Sequence, residues 1–81
     1  MQIEVGQIYH MRIGIVEFYG QVVKVDLFTH YFKILLLKKA SKITDDVVGF
    51  KPGQVFDFTT NFFKEHGCLV DGANAETFRI L

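Results

Sequence analysis

Residues 39–54 read KASKITDDVVGFKPGQ. This is the one stretch in which the alternating hydrophobic pattern of the chain breaks down. Thr44-Asp45-Asp46 is a helix-start signal, and Gly49 and Pro52-Gly53 are stops. The stretch therefore predicts a single short helical turn, inside residues 41–49, between a third and a fourth strand. Pro52-Gly53 also suits a type II turn, with Gly53 at positive φ before the next strand.

On either side, period-2 alternation predicts strands. In residues 7–12, Tyr9 and Met11 face one way and Ile8, His10 and Arg12 the other. In residues 21–27, Val23, Val25 and Leu27 are expected inside, and Val22, Lys24 and Asp26 outside. Tyr19-Gly20 is expected to turn the chain. Residues 30–39 are apolar on both faces at their centre, as in a strand packed on two sides or lying at an oligomer contact. In residues 53–60, Phe56 and Phe58 share a face opposite Val55, Asp57 and Thr59. Phe62-Phe63 and Cys68-Leu69-Val70 flank KEHG, expected to be a hairpin turn closed by Gly67. ETFRIL supplies a last strand, with Phe78 and Ile80 on one face.

An OB-fold barrel has three strands, a helical or irregular connector, then two more strands. An SH3-like barrel places its short helical turn just before the last strand. The central connector therefore predicts an all-β, five- or six-stranded antiparallel barrel of OB-like type, with the SH3-like barrel as the alternative.

Residues 5–23, VGQIYHMRIGIVEFYGQVV, resemble the start of the S-one domain, an RNA-binding OB-fold repeat. Val5-Gly6 takes that family's opening pair. Arg12-Ile13 takes its basic-aliphatic pair, Val16 its next aliphatic position, Tyr19-Gly20 its Phe-Gly and Val23 its final Val. Further on, LLLKKASKITDDVVGFKPGQVF looks like the family's aliphatic run, connector and strand entry, with Ser41 and Phe50-Lys51-Pro52-Gly53 at matching places. The resemblance covers about two-thirds of the 81 residues. It departs at Met11, where the family has Gly, at Val22, where a second surface aromatic belongs, and at Lys39, where a His belongs. The segment between Gly20 and Ser41 is also longer. The resemblance thus implies an OB-like fold more strongly than it implies RNA contacts.

The bulk numbers fit one small domain spanning residues 1–81. Nine Phe and three Tyr supply a core, each buried ring removing roughly 150–250 Å² from water. The single Cys68 excludes an intrachain disulfide, which fits a reducing cytoplasm. No basic segment followed by a long apolar run opens the chain, so no signal peptide is expected. The longest aliphatic run is residues 34–37, against roughly 20 residues for a membrane helix, so no membrane span is expected.

Nine basic and nine acidic side chains cancel, but unevenly. Residues 24–42 carry five Lys against Asp26, net +4, whereas residues 43–81 carry net −3. A polarised chain can present a basic face even when neutral overall. Exposed rings beside cations are what single-strand binding needs, because bases stack on rings and Lys or Arg follow phosphates. The expected set is Tyr19 for stacking, Phe28 and Tyr31 as further stacking surfaces, and Arg12, Lys24, Lys33 and Lys39 for phosphate. The bland alternative is a solvated charge pattern with barrel-end aromatics.

The expected partner is RNA or single-stranded nucleic acid. The competing expectation is a protein-interaction module, an inhibitor or complex subunit, using the aromatic face of residues 28–37. In that reading, homodimerisation by strand pairing is the natural assembly. No enzyme activity, metal or cofactor is expected. His66 and Cys68 form the one close ligand pair, and a structural zinc needs four ligands. As a nucleophile Cys68 needs an orienting group. A strand cysteine is more commonly a small buried hydrophobe.

Overall fold

A computed structural model describes residues 3–70. These residues are mostly β, with five antiparallel strands in one sheet. Strand β1 is Ile8–Ile13 and β2 is Val16–Asp26. They pair from Ile8↔Gln21 to Ile13↔Val16 around a turn at Gly14 and Ile15. Strand β3, Tyr31–Lys39, follows a turn over residues 27–30. Helix α1 is Lys42–Asp45, β4 is Val55–Thr59, α2 is Thr60–His66 and β5 is Gly67–Leu69. The sheet order is β4-β3-β2-β1-β5. The first four strands thus lie side by side in chain order, and β5 adds to the free edge of β1. Among the described residues the sheet is not closed, and the expected ETFRIL strand lies outside them.

One face of this sheet holds the core. Tyr9, Met11, Phe18, Val22, Phe32, Ile34 and Leu36 converge there with Phe63 of α2. Phe63 reaches Tyr9 edge-on at a ring separation of 4.5 Å and Phe32 at 5.6 Å. Along β4 runs a second file of rings: Phe50 on Phe56 at 5.3 Å, then Phe58 on Phe62 at 5.3 Å. Ring pairs of this kind contribute about 0.5–1.5 kcal/mol each beyond their buried area.

Several expectations hold. A short helix does sit inside residues 41–49. Gly53 does take positive φ, at 95°, and its N–H donates to the Leu36 carbonyl at 2.8 Å. Phe56 and Phe58 do lie opposite the exposed Val55, Asp57 and Thr59.

Others are overturned, each for a local reason. Helix α1 starts at Lys42, not Thr44. Ser41 caps it by accepting from the Thr44 N–H at 3.2 Å, and Thr44 turns its side chain into the fold. Tyr19-Gly20 is no turn but lies within β2, beside a register shift. Gly20 is needed there for close packing, since a Cβ would collide with the Ile34 methyl and press on the Phe18 ring. Val22 keeps the inward phase of Phe18 and Gly20, and a second register shift, between Val22 and Lys24, then restores the expected phase, with Val25 against the core and Lys24 and Asp26 on the outer side. Val22 is buried, whereas Val23 is 39% and Leu27 81% exposed. Ile8, on the side of β1 opposite Tyr9 and Met11, is also buried.

KEHG is no hairpin turn, so the connector does not hold the only helix. Lys64, Glu65 and His66 end helix α2, which Thr59 caps by accepting from the Phe62 N–H at 3.3 Å. Lys64 and His66 sit in its last turn, where cationic groups complement the helix dipole.

Candidate nucleic-acid interface

With Tyr9 and Met11 inward on β1, alternation turns His10 and Arg12 outward. On β2, Phe18 faces the core, so Glu17 and Tyr19 face out. The register shift at Val23 then brings Lys24 and Asp26 to the same outer side. On β3, Phe32 and Ile34 face in, and Tyr31 and Lys33 face out. Cross-strand register orders this face into rows: His10–Tyr19–Lys38, then Lys24–Lys33–Asp57, then Asp26–Tyr31–Thr59. Five of the expected residues, Arg12, Tyr19, Lys24, Tyr31 and Lys33, therefore share one solvent face of three neighbouring strands.

The other two lie elsewhere. Phe28 projects from the β2–β3 turn and is 97% exposed. It is held there by Asp26, whose Oδ1 accepts from the Phe28 N–H at 3.0 Å and the Thr29 N–H at 3.2 Å. His30, at φ 61°, completes the turn. These N–H groups, Thr29 first and then Phe28, hold the Asp26 carboxyl below its ordinary pKa, and the Lys24 charge adds to the effect. Lys39 lies across from Phe18. Its Nζ donates to the carbonyls of Asp45 at 3.4 Å and Val47 at 3.3 Å. The ammonium expected to meet phosphate thus ties down the segment after α1.

The outer face carries a mixed field. Lys33 Nζ meets Asp57 Oδ1 at 3.0 Å, and Arg12 Nη2 meets Glu17 Oε1 at 3.6 Å. Such exposed pairs contribute only about 0–1 kcal/mol, so an incoming anion can compete for either cation. Lys24 and Lys38 are exposed and carry no such pair among the described residues. Lys24, Asp26, Thr29, Tyr31, Lys33 and Asp57 together line a cavity of about 300 Å³. Asp57 and Glu17 escaped the sequence reading. The available signal was alternation, which places each carboxylate two residues from another outward side chain.

The apolar face expected over residues 28–37 is largely internal. Phe32, Ile34, Leu36 and Leu37 are buried, which leaves Phe28, Tyr31 and a half-buried Leu35 at the surface. Cys68, expected in the core, is exposed on the outer side of β5, directly across from His10. Among the described residues no group of three His, Cys, Asp or Glu side chains could hold a metal ion. None of their helices is long and apolar enough to cross a membrane.

Compared with models of known protein families, with curated proteins and with solved structures, the chain finds no significant match.

Proposed function

We propose that this protein binds single-stranded nucleic acid across the outer face of β1, β2 and β3. The observation that carries the reading is the convergence of Arg12, Tyr19, Lys24, Tyr31 and Lys33 on that one face. Tyr31 offers a ring for base stacking beside Lys24 and Lys33, the combination that single-strand binding uses.

We also infer that the sheet is the wall of an SH3-like barrel rather than an OB-like one. Helix α2 immediately precedes β5, and the four preceding strands form a simple meander. An OB barrel is a Greek key, in which neighbours in the sheet are not all neighbours in the chain. The functional reading therefore rests on the side chains of the face and not on the S-one resemblance.

Binding of short single-stranded oligonucleotides at two salt concentrations, followed by fluorescence anisotropy, tests the function. Each phosphate contact to a single strand adds about −0.7 to the log–log salt slope. On this face Lys24 and Lys38 are the lysines without an ion-pair partner among the described residues, so the expected slope is about −1.4. Lys24→Ala flattens it by about 0.7. Tyr31→Ala leaves the slope unchanged and costs about 1–3 kcal/mol of stacking. Absence of binding at low salt overturns the proposal.

One observation favours a second reading, a protein-interaction module. Leu27 and Phe28, 81% and 97% exposed, form an apolar tip on the β2–β3 turn. A protein partner held there gives little salt dependence and a negative heat-capacity change on binding.

A further inference from the structure

Cys68 does not stand alone on its strand. Directly across from it on β1 is His10, and the two Cα atoms are register partners. Side chains so placed on one face of an antiparallel pair bring their Cβ atoms to about 4.5–5.5 Å. His10 is in turn held from β2, where Glu17 Oε2 lies 2.8 Å from its Nε2. A carboxylate can only accept, so Nε2 carries a proton in that contact. In the neutral ring Nδ1 is then left as the basic nitrogen. Nδ1 has no hydrogen bond to any described residue. Three adjacent strands thus present thiol, imidazole and carboxylate in sequence, which supplies the orienting group a cysteine nucleophile requires.

The cluster borders a cavity of about 370 Å³ that Cys68 and His10 share with Arg12, Lys64, Glu65 and His66. Charges balance around it: Arg12 is paired with Glu17 at 3.6 Å, and Lys64 and Glu65 both line the cavity. His66 lines the same cavity with its Nδ1 donating to the Arg12 carbonyl at 3.1 Å, and the His10→Gln variant separates its contribution from that of His10.

We propose that Cys68 is a reactive thiol, served by His10 as base, that exchanges with low-molecular-weight disulfides. The Sγ–H proton passes to His10 Nδ1, and the thiolate attacks one sulfur of the disulfide. A Cys68 Sγ–S bond forms as the disulfide S–S bond breaks. The departing thiolate takes the proton from His10. Cys68 is oxidised to the disulfide level and the leaving sulfur is reduced, so electrons and protons balance with no further reagent. Glu17 is a positioning residue in this scheme.

The test follows adduct formation by intact mass on the full-length protein with oxidised glutathione at pH 7. An unstructured peptide of residues 65–70 serves as reference, because it keeps His66 and Cys68 but lacks His10. An ordinary thiol is only a few per cent thiolate at this pH. The folded protein is therefore expected to react about tenfold faster than the peptide, as a neighbouring imidazole allows. His10→Gln is expected to bring the rate down to that of the peptide, with an unchanged far-UV spectrum. A folded protein that reacts no faster than the peptide overturns the proposal, and this comparison requires no variant. A folded His10→Gln protein that keeps the wild-type rate overturns it as well.

Discussion

Lys39 shows how one ammonium can be spent inside a fold. Its Nζ bridges the carbonyls of Asp45 and Val47, so it fixes the chain leaving α1. Lys39→Ala is expected to lower stability by about 1 kcal/mol, since hydrogen bonds of this kind contribute on that order. It should leave the salt slope of oligonucleotide binding unchanged. Urea denaturation and the salt titration check the two halves. Asp26 acts through its charge. Its carboxylate accepts from two backbone N–H groups of the β2–β3 turn, which lowers its pKa in the folded state. The stability it contributes is present above the ordinary aspartate value of about 3.9 and is lost as pH falls through the lower folded value. The urea midpoints of wild type and Asp26→Ala are therefore expected to differ at neutral pH and to converge in acid. Chemical type and alternation made these residues visible in the sequence, because Lys39, Asp26 and Tyr31 were all marked as polar or aromatic positions. What each side chain touches was not visible. The partners of Lys39 are backbone carbonyls, and a carbonyl has no sequence signature.

At the scale of elements, the two helices behave differently. Helix α1 is a single turn held by hydroxyls. Buried Thr44 accepts from the Glu17 N–H at 2.7 Å and shares a 2.8 Å contact with Ser41 Oγ. Thr44→Val keeps the shape and leaves that N–H unanswered, for an expected loss of about 1–3 kcal/mol in urea denaturation. Helix α2 is held by packing, with Phe63 buried between Tyr9 and Phe32. Phe63→Ala is expected to cost about 3–5 kcal/mol, a large part of the roughly 5–15 kcal/mol that holds a small domain together. Calorimetry of the variant should show a strongly lowered Tm. Strand alternation was legible wherever the ladder is regular, as in Tyr9, Met11, Phe56 and Phe58. It misled at Val22 and Val23, because a bulge there changes the phase of the strand, so no single alternation describes the residues on both sides of it. It misled again at residues 60–66. There a Phe-Phe pair reads as strand, and only the Thr59 cap and the helical placement of Phe63 reveal α2.

The whole molecule is a sheet with two unlike faces. The inner face gathers aromatic and aliphatic side chains under α2. The outer face spreads His10, Arg12, Tyr19, Lys24, Tyr31 and Lys33 over three strands, interleaved with Glu17, Asp26 and Asp57. That division explains why a chain of zero net charge still carries a candidate surface for a polyanion: the cations are brought together by register, not by abundance. Both candidate sites lie on the outer face. The cavity beside Tyr31 and the Cys68–His10 pair have no lining residue in common. The central claim is the location of single-strand binding. Its most direct measurement is a backbone-amide chemical-shift titration of the isotope-labelled protein with a short single-stranded oligonucleotide at low salt. The account predicts progressive shifts at Arg12, Tyr19, Lys24, Tyr31 and Lys33, with Phe58 and Phe63 on the inner side unmoved. Shifts confined to the inner side, or none at saturating oligonucleotide, would contradict it.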